Sequence, residues 1–336
     1  MSSLTEKDLI QKILAGFVKS ELHENNFFES DAEVFNYKNN RLLFTTDDFS
    51  SEDLFREIHP RNLGRNLAIA SLSDILACGG NPLFYAHSMA VSKNWEADFI
   101  TKLSEGISEI LQISQTHFLG GDFGISEHWH YTGIVIGEVI KPLSRIGARQ
   151  GDSIFLTGKA GTGNLEAALS LYSDKALVSS FLSTYKSRFH LRLEESTLIR
   201  HYASSCIDTS DGVINGIKTI AQLNHIGFSL ENIPLLPEAV LATKLLGKPA
   251  ELLLFGECGE YELLFTVPAE KVFDFEKEAK AKNFEISKIG VIQDESTKVL
   301  KCGKRELVLD TFDLSARAFD TTKEYLSALT NFITGA

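Results

Sequence analysis

Apolar residues recur along the chain at two spacings, and the change from one to the other marks out its elements. Residues 61–78 carry apolar side chains at helical spacing and stop at Gly79–Gly80, which predicts a helix with a glycine end. A second stripe, Trp95, Phe99, Leu103, Ile107, Ile110 and Leu111, predicts a helix over 95–114. Between them, LFYAHSMAV (83–91) reads as a strand. RLLFTT (41–46) predicts a short strand that runs directly into Asp47–Asp48, and Tyr131–Val139 is a strand rich in β-branched residues. HFLGGD reads as a short strand breaking into a glycine turn. Near the start, Thr5 and Asp8 with Leu9, Ile10, Ile13, Leu14 and Phe17 form the pattern of a capped amphipathic helix.

At residues 140–150 the pattern stops. KPLSRIGARQGD is polar and turn-prone, with Pro142, Gly147 and Gly151, and predicts a boundary between domains 1–142 and 143–336. A chain of 336 residues exceeds one ordinary core, which fits two domains. The second part opens on a strand, SIFLTG, and a glycine turn, GKAGTG; helices are expected over most of 164–203. CIDTSDG reads as a loop opening a helix at 212–223, followed by a strand at Phe228–Leu230 and a helix at 237–246. A loop at 255–260, a strand at 261–267, a helix at 270–282 and a strand at 285–292 complete the alternation, so the fold class is α/β or α+β.

Composition narrows the function. Hydrophobic residues at 43% and charged residues at 23% are ordinary globular values. Thirty-three basic against forty-five acidic residues give a net charge of −12, which opposes non-specific binding to nucleic acid or an anionic membrane. A small phosphorylated ligand brought in with divalent cations stays open. Cys78, Cys206, Cys258 and Cys302 form no CxxC pair, which points to a reducing compartment and no structural zinc. MSSLTEKDLIQKIL lacks the apolar core of a signal peptide, and no apolar run reaches the length of a membrane span. The expectation is a cytoplasmic protein.

Common catalytic signatures are missing. There is no GxxxxGK[ST], no GxSxG and no HExxH, and the glycines of TGKAGTG stand in the wrong order for GxGxxG. His128 and His130 flank Trp129 and would share a strand face, a geometry open to a metal but more often structural. Cys258 reads as a small loop residue and Lys159 as an exposed turn lysine. Phe27, Phe28, Phe44, Phe49, Phe55 and Phe123 are pocket candidates for which core packing is the commoner state.

The aspartates say more. Asp31 lies before a probable strand, Asp47 and Asp48 follow RLLFTT, Asp74 lies in LSDILACGG, Asp122 ends FLGGD, and Asp208 and Asp211 bracket CIDTSDG. Each adjoins apolar sequence, where a lone carboxylate is costly unless paired or metal-bound. Any one of them is equally well a cap or turn residue. As a set they suggest carboxylates converging on a cleft, and hard oxygen donors of this kind select Mg²⁺, which commonly shares its remaining sites with substrate phosphates. Gly120–Gly121 and the SDG turn allow close backbone approach to a phosphate.

TTDDF, LSDILACGGNP, FLGGD, LSRIGARQGDSIFLTG, CIDTSDGV and ECGEYELLF resemble, in order and approximate spacing, the thiamine-monophosphate kinase family. That family is part of the aminoimidazole ribonucleotide synthetase (AIR synthase) superfamily, and the resemblance covers residues 28–310. It implies an AIR synthase-like fold of two domains: an N-terminal one that binds ATP and Mg²⁺ and pairs in a homodimer as a β-barrel, and a C-terminal α/β one. It also implies transfer of the γ-phosphoryl of ATP onto a small phosphorylated acceptor, thiamine monophosphate. The positions matching the family's metal-binding aspartates are Asp31, Asp47, Asp74, Asp122, Asp208 and Asp211, with Asp122 and Asp211 closest to the chemistry. Thr46, Gly120, Gly121, Arg145 and Ser210 match its nucleotide- and phosphate-contacting positions.

Departures from the family fall at the acceptor end. Ser30 replaces the first aspartate of GDD, and Phe123 and Ile125 replace a hydroxyl and an arginine after GGD. Leu54 stands for a histidine, Gly216 for an aspartate, and Gly259 and Glu260 for the glutamate–aspartate pair of SGGEDYEL. Three readings follow: a kinase with an altered acceptor, another ATP-dependent reaction of the superfamily, or a catalytically degenerate nucleotide-binding relative acting as a sensor or partner subunit.

Overall fold

A computed structural model describes residues 10, 12–51, 59–165, 188–303 and 305–335. The start of the expected N-terminal helix (Thr5, Asp8, Leu9), Leu54, Phe55 and residues 166–187 of the expected helical stretch lie outside the described residues. Two sheets carry the fold. The first runs β1 (Glu33–Tyr37), β2 (Asn40–Ser50), β5 (His130–Glu138), β3 (Asn81–Ser92) and β4 (His117–Ser126) from edge to edge. All its pairings are antiparallel except β3 with β4.

One face of this sheet is covered by α1 (Pro60–Ala77) and α2 (Ala97–Ile113). Leu43 and Phe49 of β2, Tyr131 and Val135 of β5, and Tyr85 and Met89 of β3 all point to that face, as strand alternation requires. Pro60 occupies the first turn of α1, and Gly79 (φ 69°) ends it in the left-handed region, as the sequence predicts. α1 is buried nearly all round, because its second side packs on the other half of the chain. It crosses α2 at a pair of glycines. A Cβ on Gly64 would strike the Leu103 carbonyl of α2, and one on Gly106 would strike the Arg61 carbonyl of α1, so the two backbones touch.

The second sheet has the order β12 (Arg305–Val308), β11 (Lys298–Cys302), β8 (Gly227–Leu230), β10 (Ile286–Gln293), β6 (Ser153–Thr157), β9 (Leu263–Val267), β7 (Ser205–Asp208). β6 and β9 are buried throughout, and their side chains alternate between two cores. Ile154, Leu156 and Leu264 meet Ile214, Ile217 and Ile220 of α4 (Val213–Asn224), whereas Phe155 and Phe265 meet Phe275 of α7 (Val272–Ala281). Among the described residues, the remaining helices of eight or more residues are α3 (Leu193–Tyr202), α5 (Pro237–Leu245) and α8 (Thr322–Thr334); α6 (Leu252–Phe255) is a single turn. The mixed α/β class expected from the alternation holds.

Three local expectations change. HFLGGD does not break into a turn: β4 continues for ten residues as an edge strand, and Gly120–Gly121 sit inside it opposite Ala86 and His87. CID of CIDTSDG is the strand β7, and only the turn after Asp208 is loop. The β11–β12 hairpin and α8, whose N-terminus has a full capping box between Thr321 and Glu324, were not anticipated.

Candidate functional site

Three elements and one loop bring acidic side chains together. Asp31 lies just before β1, Asp74 in the last turn of α1, and Asp208 at the end of β7; a carboxylate oxygen from each lies within 4.8 Å of the other two. Asp47 of β2 joins them electrostatically, since its carboxyl is held up by burial first and then by both Asp208 and Asp31. The cluster thus draws on residues 31–74 from the first sheet's layer and on β7 of the second.

Burial and mutual repulsion shape these carboxyls. Burial first, with Asp208 beside it, raises Asp31 to about 6, although Arg145 pulls in the opposite direction. Asp47 is pushed up to about 7 by burial and then by Asp208 and Asp31. Asp74 lies well above the usual carboxylate range from burial and from the same neighbours, including Asp47. Hydroxyls meet part of the need: Thr45 donates to Asp74 Oδ2 at 2.5 Å, Ser73 to Asp208 Oδ2 at 2.5 Å, and Ser210 to Asp208 Oδ1 at 2.8 Å. Among the described residues, one arginine is bonded to the group. Arg145 Nη2 lies 2.8 Å from Asp31 Oδ1, and the Asp31 side chain is 1% exposed. Three oxygen donors this close, with one arginine between four carboxyls, fit a hard divalent cation such as Mg²⁺ better than they fit one another.

The predicted residues therefore separate. Asp31, Asp47, Asp74 and Asp208 come together, with Arg145 and Ser210 in contact with them. Arg145 pairs with Asp31. Thr46 is exposed and turned from the cluster, because alternation along β2 sends Thr45 and Asp47 to one face and Thr46 to the other. Asp122 is exposed on β4 and pairs with Ser88, in the row Asp48–Thr132–Ser88–Asp122, while Asp47 stands in the adjacent row Asp47–Gly133–His87–Gly121. The two rows face opposite sides of the sheet, so Asp122 stands apart from the group; Gly121 shares the row of Asp47 but, like Gly120, lies on the edge strand β4, three strands away from β2. Asp211 is exposed in the turn before α4, where its carbonyl accepts from Asn215. His128 and His130 are exposed around the buried Trp129, and the acidic trio is the group of metal-ligand spacing among the described residues. Lys159 pairs with Glu285 at 2.9 Å.

Two contacts were missed. Thr45 and Ser73 touch the cluster directly, and each sits one residue from a predicted site position, Thr46 and Asp74. Knowing the strand face or the helix face would have exposed them. At the departures, Ser30 turns inward, with Oγ 3.1 Å from the sulfur of Cys78, so no charge replaces the lost carboxylate. Glu260 is 3% exposed, accepts from the Gly161 amide at 2.6 Å, and is raised by burial to about 8. Ile125 is 70% exposed on β4.

Residues 29–139 match the model of the AIR synthase related protein, N-terminal domain. The chain is 28% identical over 271 residues to a thiamine-monophosphate kinase of Aquifex aeolicus, covering 79% of this chain and 85% of that kinase. It is 28% identical over 294 residues to the Bacillus subtilis thiamine-monophosphate kinase, covering 83% and 90%. The solved structure of AaThiL complexed with AMPPCP and TMP superposes with a TM-score of 0.73 at 23% identity, over 90% of this chain and 96% of that one. The fold is accordingly AIR synthase-like.

Proposed function

We propose that this chain, a thiamine-monophosphate kinase-like protein of the AIR synthase-related superfamily, is an ATP- and Mg²⁺-dependent phosphotransferase acting on a small phosphorylated acceptor. The observation that carries the reading is the convergence of Asp31, Asp74 and Asp208, with Asp47 beside them, from separate layers of the fold. Relatives named for the kinase reaction, and a structural neighbour holding a nucleotide analogue and TMP, support the same reading.

Transfer between two phosphates brings anions together, so the protein's work is positioning and neutralisation. Bound Mg²⁺ would supply charge neutralisation and a template for phosphate oxygens. Asp31, Asp47, Asp74 and Asp208 would hold it, while Arg145, Thr45, Ser73 and Ser210 fix the carboxylates in place. The turn Thr209–Gly212, which leads straight into the positive end of α4, is suited to receive a phosphate. In this reading residues 1–142 form the ATP-, metal- and dimer-forming domain and residues 143–336 the second domain. Phe44 and Phe84, each 37% exposed on the sheet face away from α1, support pairing of two copies there.

The acceptor site departs from the kinases. Exposed Phe123 and Ile125 occupy the hydroxyl and arginine positions, and Glu260 is buried and neutral at moderate pH. We therefore read thiamine monophosphate as the first acceptor to test and an altered acceptor as the alternative. Asp122, exposed and on the other sheet face from Asp47, favours a second reading in which nucleotide binds without turnover. ADP release, measured with ATP, Mg²⁺ and thiamine monophosphate and then across other phosphorylated acceptors, tests both. Heat of AMPPCP binding without ADP release on any acceptor would select the second; absence of nucleotide binding would remove both.

A further inference from the structure

A second cavity lies on the far side of the segment that carries Arg145. It has a volume of about 620 Å³ and is lined by the linker 141–152, the end of α3 and the start of α7. While Arg145 reaches Asp31, its neighbours Ser144 and Ile146 line this cavity. Its charged lining is mainly cationic: Lys141, Arg149, Arg200 and Lys271, with His201 beside them and with Asp152 and Glu270 as the acidic members.

In a chain of net charge −12, cations gathered in one concavity call for a reason. Ion pairing does not supply it. Among the described residues, no carboxylate lies within ion-pair distance of Lys141, Arg149, Arg200 or Lys271, whereas most other arginines of the two sheet layers are paired. Asp152 is buried and already accepts from the Arg149 amide and from Ser204 Oγ at 2.6 Å. Helix stability does not supply it either. Arg200 and His201 do complement the negative end of α3, and Arg200 also donates to the Gly79 carbonyl at 3.4 Å, but Lys271 stands at the N-cap position of α7 without a side-chain cap bond, where a cation opposes the helix dipole. Lys141, Arg149 and Lys271 thus bring positive charge to a hollow that already receives the positive end of α7.

We propose that this cavity is a binding site for a compact polyphosphate anion, separate from the aspartate cluster. Point charges from lysine, a guanidinium at Arg149 and a helix N-terminus are the three devices that recognise phosphate oxygens. No metal is needed, because the lining is itself cationic. This separates the site from the aspartate cluster, which repels an anion until a cation is bound. The proposal stands whether or not the transfer reading does.

The test is titration of the full chain with inorganic pyrophosphate in metal-free buffer containing EDTA, read by calorimetry. Saturable one-site binding is expected, weakening as salt rises from about 50 to about 200 mM. The double variant Arg149→Glu/Lys271→Glu, both positions exposed, should lose about tenfold or more in affinity. Asp208→Asn should leave pyrophosphate binding unchanged. Absence of binding, or binding that survives the double charge reversal while the variant keeps its thermal midpoint, overturns the proposal. So does binding that is altered by Asp208→Asn.

Discussion

Ser73, on the inner side of α1, donates its hydroxyl to Asp208 Oδ2 across 2.5 Å, joining residues 135 positions apart. It is one of the bonds by which the helix under the first sheet holds a strand of the second. Ser73→Ala should cost about 1.5–3 kcal/mol, the range for a hydrogen bond to a charged group. Urea unfolding in metal-free buffer measures this. A change within a few tenths of a kcal/mol would mean that Ser210 alone orders Asp208.

Asp208→Asn has a different signature. The substitution removes one charge from the crowded acidic group; the amide keeps its oxygen for Ser210, and its N–H can donate to Ser73 Oγ, whose own hydroxyl can turn to the Ala70 carbonyl 2.9 Å away. The metal-free protein should be as stable as the parent or more so, by about 1 kcal/mol. Stabilisation by Mg²⁺ should disappear together with any turnover. A variant that still gains stability with Mg²⁺ would place the ion elsewhere.

Without metal, Asp31 titrates near 6 and Asp47 near 7, above the ordinary value of 3.8. The folded state then binds protons that the unfolded chain has released, so this contribution to stability is complete below pH 4 and declines up to pH 7. Mg²⁺ needs the deprotonated carboxylates, so the shift it produces in thermal midpoint should grow between about pH 5 and about pH 8. Scanning calorimetry with and without Mg²⁺ checks the trend. A shift independent of pH would detach the metal from these groups.

Arg145→Met would leave Asp31 without its cation while keeping most of the aliphatic stem. Removing one partner of a buried ion pair costs about 3–5 kcal/mol when the other stays charged. The loss should be largest above the titration of Asp31 near 6 and smaller at pH 5, where that carboxyl protonates. Equal losses at both values of pH would show that packing, not charge, accounts for the arginine.

Glu260, raised to about 8 by burial, is protonated in the folded state over a wide range. Its contribution is intact below pH 4.5 and is lost as pH rises towards 8, because ionisation then has to occur inside the core. Glu260→Gln mimics the protonated form. The variant should match the parent at pH 5 and exceed it in stability at pH 8, as read from urea midpoints.

Helical stripes and apolar runs made most elements legible: α2, β3 and β5 bury a face that the sequence writes as a periodic pattern, whereas α1 and β6, buried on more than one side, read as dense apolar stretches. β4 was misread for a physical reason. Its glycines sit in an extended edge strand, at a bulge between Tyr85 and Ala86, and glycine alone does not distinguish that from a turn. Asp31, Asp47, Asp74 and Asp208 were singled out by composition and resemblance and the fold brings them together, whereas the placement of Asp122 and Thr46 depends on strand face, which adjacent residues such as Thr45 and Thr46 do not declare. The Ser30–Cys78 contact needed the fold, since a loop and a helix end 48 residues apart meet there.

The glycine crossing of α1 and α2 fixes the frame on which part of the site is built. With Gly64 and Gly106 in backbone contact, neither helix can slide along the other without a carbonyl meeting a Cα. Asp74 and Ser73 ride on α1, and Asp47 lies on the strand beneath it. These groups form an anvil that is fixed in place. Asp208 reaches them from the other layer, so the spacing of the four carboxylates is set by how β7 seats against α1, through Ser73 and through the linker bonds of Leu143 to Cys78 and of Arg145 to Glu29.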